Sequence, residues 1–131
     1  MESDFDRKVA LILAGDKRYN AKAYRFVAEA VTYTVSRCGA HRHVSAQELL
    51  EGARQLAFSK FGRVAVLVLD GWGIKLEDDI GAVVYLLIGV GLLGESKDDS
   101  PEDFKTGQRF FPEMAPVRSI RRKTDKLPFI D

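Results

Sequence analysis

The chain has 131 residues and a net charge of +1, with 46% hydrophobic and 30% charged residues. This length fits one domain, and the composition is that of an ordinary globular protein. The small net charge indicates no particular class of partner, and the single cysteine, Cys38, excludes an internal disulfide.

The N-terminus and the apolar runs bear on location. Residues 1–6 include three acids and precede no long apolar stretch, which argues against an ordinary signal peptide. The longest apolar run, Ile80–Gly94, contains four glycines and is shorter than the roughly 20 residues that a membrane helix needs. We therefore expect a cytoplasmic protein that makes no membrane contact.

Apolar spacing predicts two helices in the first third of the chain. Apolar residues recur at three- and four-residue intervals over residues 4–14, which predicts a first helix. Asn20 is a suitable N-cap for a second helix, and Gly39 is a typical stop after it.

The clearest local signal is the pair Ser45 and Glu48, which fits a capping box in which each side chain accepts a hydrogen bond from the other residue's backbone N–H. Residues 41–45 are predicted to form a short extended strand before it. The capped third helix ends at Gly62, and the apolar residues 63–70 predict a short buried helix.

The last predicted elements are a helix and a hairpin. Three consecutive acids suit the positive N-terminal end of a helix over residues 77–90. Residues 92–97 and 103–111 are predicted as two strands, joined by a polar loop. This order of elements resembles that of a winged helix, although a winged helix has one helix fewer.

We therefore predict a mainly α fold with a C-terminal β-hairpin, in one winged-helix-like domain over residues 1–111. Residues 112–131 contain three prolines and are predicted to form an irregular basic tail. We see no internal repeat and no low-complexity segment.

Several segments together resemble an uncharacterised bacterial family that is common in planctomycetes and their relatives, sometimes labelled the Minf-type family. The resemblance covers roughly residues 19–110, and the segments that carry it are Ala23–Val27, His43–Gly52, Asp79–Gly81, Gly91–Leu93 and Asp99–Phe104. The family has no established activity, so the resemblance implies an intact domain and no particular chemistry.

Gly89–Gly94 matches the pattern G-x-G-x-x-G of dinucleotide-binding turns. Such a turn needs a strand before it and a helix after it, because the phosphate lies at that helix's N-terminus. The residues that follow Gly94 are acidic and end in Pro101, a poor helix that repels phosphate. We interpret the glycines as the end of a helix and predict no cofactor.

Metal binding and catalysis are also weakly supported. Cys38, His41 and His43 are ligand types that zinc accepts, but a structural site needs a fourth ligand and the chain has no further cysteine or histidine. Nucleophilic catalysis needs a nucleophile, a base and an orienting group, and Cys38 falls on an apolar helix face where thiols are usually inert. We predict no metal and no enzymatic activity.

Charge is unevenly distributed, and this pattern carries the functional prediction. Residues 77–103 hold eight acids and one lysine, while the segments on either side are basic. Carboxylates on the helix and wing that usually contact DNA would repel its phosphates. We therefore predict a protein-protein interaction domain whose acidic helix and hairpin contact a basic partner through Glu77, Asp78, Asp79, Asp98, Asp99 and Glu102.

Basic clusters leave a second hypothesis open, in which the chain associates with RNA, DNA or the ribosome. One cluster lies near the N-terminus and the other in the tail. The residues concerned are Lys17, Arg18, Lys22, Arg25, Arg118, Arg121, Arg122 and Lys123.

Overall fold

The computed structural model describes residues 3–38, 44–94 and 101–111. The described chain is mainly helical, as predicted. It contains two 3-10 helical turns, Gly62–Val64 and Pro101–Phe104, and the α-helices α1 (Asp4–Gly15), α2 (Ala21–Cys38), α3 (Ala46–Phe61), α4 (Ala65–Gly71) and α5 (Glu77–Gly89).

The capping signals act as the sequence predicts. The Asn20 side chain accepts a 2.8 Å hydrogen bond from the backbone N–H of Lys22, in the first turn of α2. Ser45 and Glu48 form both hydrogen bonds of a capping box at the start of α3, at 3.0 and 3.1 Å. Gly62 ends α3 with a φ of 59°, a positive value that glycine adopts without steric cost.

The core lies between α2, α3 and α5. Each helix turns a stripe of apolar residues inward, and the largest fully buried side chains include Tyr24, Leu50, Ile80 and Leu87. α2 and α3 approach closely because Gly52 faces Thr34, and a methyl group on Gly52 would overlap the Thr34 side chain. The Thr34 hydroxyl is satisfied by donating a 2.7 Å hydrogen bond to the carbonyl of Ala30.

Residues 101–111 form a strap that returns across α5 and α3. Phe104 is buried against Gly81, a position where any side chain would overlap its ring. Arg109 forms an isolated antiparallel bridge with Leu76, and the Phe110 backbone N–H donates to the Lys75 carbonyl at 3.0 Å. The strap therefore closes the core with a few anchored side chains.

The predicted hairpin is not supported by the described residues. Leu92–Gly94 is not in a strand, and the strap begins as a 3-10 turn and bridges to Leu76. The aromatic residues that predicted a strand are buried individually against helices, so their spacing does not reflect strand pairing. Residues 95–97 and 41–43, parts of predicted strands, lie outside the described residues, and Val44–Ser45 is not in a strand.

None of the described helices combines the length and the apolar character that crossing a membrane requires.

Candidate functional site

The acids at the start of α5 are engaged within the chain. Glu77 is 7% exposed, pairs with the Arg54 guanidinium and accepts a 2.6 Å hydrogen bond from the Thr106 hydroxyl. Asp78 accepts a 2.9 Å hydrogen bond from the backbone N–H of Gly107. These two carboxylates attach the strap to α5.

Asp79 joins α5 to the loop before α2. Its carboxylate accepts hydrogen bonds from the Tyr19 hydroxyl at 2.7 Å and from the backbone N–H groups of Lys75 and Leu76, each at 2.9 Å. Burial, and then the hydrogen bond to Asp79, raise the pKa of Tyr19 well above its ordinary value. Asp79 is therefore a structural residue of the helix start.

The remaining acids of the predicted surface differ in their placement. Glu102 is exposed, with its carboxylate 3.7 Å from the Lys105 ammonium. Asp98 and Asp99 lie outside the described residues.

Three of the four early basic residues are also engaged. Lys17 donates to a backbone carbonyl at the end of α1, while Arg18 and Arg25 pair with the carboxylates of Asp16 and Asp6. The pKa values of both aspartates are lowered, that of Asp16 first by its bond with Arg18 and that of Asp6 first by its bond with Ser3 and then by Arg25. The basic residues of the tail, Arg118, Arg121, Arg122 and Lys123, lie outside the described residues.

The candidate cofactor and metal positions give no assembled site in the described ranges. α5 runs directly into Gly89, so a helix and not a strand precedes the glycine-rich turn, which excludes the dinucleotide fingerprint. Within residues 3–38, 44–94 and 101–111, no three His, Cys, Asp or Glu side chains come together as metal ligands. His41 and His43 lie outside those ranges.

The described residues form a concave groove beside α1. It has a volume of about 490 Å³, within the range of ligand-binding clefts. One wall is α1, the floor is α2, and the other wall is the end of α3 with Trp72. We call it the α1–α2 groove, and it is lined by Phe5, Asp6, Val9, Ala10, Leu13, Ala21, Lys22, Arg25, Phe26, Glu29, Lys60, Phe61 and Trp72.

The length of the groove follows from helix geometry. Phe5, Val9 and Leu13 are spaced by four residues and therefore form one stripe along α1. Lys22 and Glu29 are seven residues apart on α2, along the same groove. At 1.5 Å per residue the α1 stripe extends about 12 Å, or roughly two helical turns.

Aromatic rings form the deep part of the groove. Phe26 is 2% exposed, and its ring centroid lies 6.0 Å from that of Trp72. The Phe61 ring packs edge-on to Trp72 at 5.7 Å. Trp72 is thus held between two phenylalanines while one part of it remains accessible, an arrangement that favours contact with apolar groups.

Charged side chains lie along the rim. Arg25 pairs with Asp6 at 2.6 Å and stacks over the Phe5 ring at 4.6 Å, and Lys60 lies 3.4 Å from Glu29 across the gap between α3 and α2. Lys22 is exposed, and its ammonium has no partner among the described residues. The rim therefore consists of two internally neutral pairs and one additional cation.

The α1 stripe is visible in the sequence, but the groove is not. The spacing of Phe5, Val9 and Leu13 indicates an apolar helix face, whose ordinary interpretation is burial in the core. The opposite wall comes from Phe61 and Trp72, more than forty residues further along the chain. Only the packing of α3 against α2 brings these residues beside α1.

Comparisons with known proteins found no match. The chain matches no protein-family model, no curated protein and no solved structure.

Proposed function

We propose that this chain is a non-enzymatic protein-binding module that receives an amphipathic helix of a partner protein in the α1–α2 groove. The observation that carries this proposal is an aromatic-floored groove about two helical turns long. Helix-in-groove recognition uses apolar anchors at positions i, i+3 or i+4, and i+7, which occupy a groove of that length.

The composition of the groove supports binding. Its lining combines aromatic and aliphatic side chains with amines and carboxylates on the rim, and the described lining includes no Ser, Thr, Cys or His. An apolar centre with a polar rim is the usual anatomy of a protein interface. Phe61 and Trp72, which are partly exposed, supply the large rigid contacts that dominate such interfaces.

The proposal moves the binding surface away from the acids at the start of α5. Glu77, Asp78 and Asp79 stabilise the fold by contacts within the chain, so a partner that captured them would have to compete with those contacts. The α1–α2 groove needs no such rearrangement, because Phe5, Leu13 and Trp72 are already partly accessible.

A matched pair of substitutions on α1 tests the proposal. Ala10 is an exposed residue of the groove wall, and the adjacent Leu11 is 66% exposed and lies outside the groove lining. We expect Ala10→Glu to introduce a charge into the groove and weaken helix binding by about tenfold or more. Leu11→Glu adds the same charge to the same helix and should leave binding unchanged.

The probe is a phage-displayed library of 14-residue peptides with a helical apolar pattern. Selected peptides are titrated against the full chain, with the fluorescence of Trp72, its single tryptophan, as the readout. Circular dichroism and urea unfolding confirm that both variants remain folded. Selection of peptides that bind Ala10→Glu as tightly as the wild type would contradict the proposal.

A further inference from the structure

We infer that the helix received by the α1–α2 groove is acidic and places a carboxylate beside Lys22. This inference rests on the proposed function and specifies the partner for the same site. It follows from the charges that the rim presents once its internal pairs have been accounted for.

The two ion pairs of the rim leave little net charge. Arg25 is bonded to Asp6 and also stacks on Phe5, while Lys60 is paired with Glu29. All four charged side chains are at least 38% exposed. An ion pair that is so accessible to water contributes little free energy, so a partner that replaced either pair would gain little affinity. The pairs therefore favour neither an acidic nor a basic helix.

Lys22 breaks this balance. Its backbone N–H is bonded to the Asn20 side chain, but its ammonium is exposed and has no partner in the part of the chain that the structure describes. The first turn of α2 contains no acidic residue that would offset this charge. A carboxylate on the bound helix would supply the missing counter-charge, and a lysine there would be repelled.

The position of Lys22 also fixes where that carboxylate lies. Lys22 precedes Phe26 by one turn of α2 and is at the end of the groove that Leu13 and Ala21 form. A partner helix with an apolar anchor over Trp72, which packs against Phe26, therefore carries its Asp or Glu one turn away, toward that end. An apolar floor and a single unpaired cation make the same groove unsuited to a nucleic-acid backbone, which is bound by several cations at once.

Two synthetic peptides test this inference. Both are 14-residue helices with the same leucine and alanine face, and their polar positions are all Glu in one and all Lys in the other. Binding to the full chain is followed by Trp72 fluorescence at low and high salt. We expect the acidic peptide to bind more tightly by roughly two- to fivefold, the range of an exposed ion pair, and salt to reduce the difference.

Charge reversal provides the decisive comparison. Lys22→Glu should invert the preference of the two peptides, whereas Lys105→Glu, the same charge change on the exposed strap, should leave it in place. If both peptides bind the wild type equally and Ala10→Glu abolishes that binding, the inference of an acidic partner is wrong and the groove function stands. Absence of any binding that depends on Ala10 would overturn the proposed function itself.

Discussion

Tyr19 and Tyr24 lie edge to face with ring centroids 6.3 Å apart, and both are buried. Their hydroxyls differ in one respect. The Tyr19 hydroxyl donates to Asp79, whereas the Tyr24 hydroxyl has no hydrogen-bond partner among the described residues. A buried hydroxyl without a partner lowers stability, because water bonded to it in the unfolded chain.

Replacing each tyrosine with phenylalanine should therefore have opposite effects. We expect Tyr24→Phe to raise the free energy of unfolding by about 1 kcal/mol, and Tyr19→Phe to lower it by about 1.5–3 kcal/mol, since that hydrogen bond reaches a charged acceptor. Urea unfolding at neutral pH measures both. A loss of stability in Tyr24→Phe would show that its hydroxyl is satisfied in solution.

The raised pKa of Tyr19 gives a related prediction in alkaline solution. Unfolded Tyr19 loses its proton near pH 10, below the pH at which folded Tyr19 does. The stabilisation from its protonated form is therefore complete below about pH 10 and declines as the pH rises above that value. Urea unfolding between pH 8 and 11 should show a smaller decline in Tyr19→Phe than in the wild type, and parallel curves would contradict this account.

At the scale of elements, the contact between α2 and α3 depends on Gly52. Gly52→Ala should overlap Thr34 and lower the free energy of unfolding by about 1–3 kcal/mol, as overpacked cores do. Gly89→Ala is the matched control, because nothing lies within 4 Å of a methyl group there and alanine favours a helix. Thermal unfolding measures both variants, and equal midpoints would mean that the helices can separate slightly at no cost.

The helices are also the part of the fold that the sequence predicts best. The residues that begin and end the helices act through contacts within a few residues of the chain, so the sequence predicts their role; they are Asn20, Ser45 with Glu48, and Gly62. The conformation of the strap cannot be predicted in this way. Its aromatic residues Phe104 and Phe110 occupy sites made by α5 and α3, and only those distant partners distinguish an anchored loop from a strand.

The candidate site divides along the same line. Lys22 and the stripe of Phe5, Val9 and Leu13 are visible as a basic residue and an apolar face. Neither pattern shows that Trp72 lies on the opposite wall of the groove, or that Glu77 forms an ion pair with Arg54. Charge counts treat all carboxylates alike, so they cannot separate acids that hold the fold together from acids that meet a partner.

At the scale of the whole molecule, Arg54 connects three parts of the chain. From α3 it pairs with Glu77 of α5, donates to the carbonyl of Phe110 and stacks over the Phe110 ring at 5.1 Å. Thr106 bonds to the same Glu77 carboxylate. This polar network is one of the attachments of the strap to the helices.

Removing one member of the network should lower the free energy of unfolding more than removing two members does. We expect Arg54→Met to lower the free energy of unfolding by about 3–5 kcal/mol, because Glu77 would remain buried without its counter-charge. The double variant Arg54→Met with Glu77→Met should recover part of that loss. Urea unfolding compares the three proteins, and hydrogen exchange of the Phe110 amide reports release of the strap. Equal stability of the single and double variants would contradict this explanation.

The strap also has a consequence for how the protein is made. Synthesis proceeds from the N-terminus, so α5 leaves the ribosome before Phe104 and Phe110 are available. At about 5–20 residues per second, the chain between Gly89 and the end of the strap takes roughly one to four seconds to appear. Throughout that interval Phe104 does not cover Gly81, and Glu77 lacks its hydrogen bond from the Thr106 hydroxyl. During these seconds part of the apolar surface of α5 is uncovered, so the growing polypeptide is open to aggregation and to chaperones that act at the ribosome.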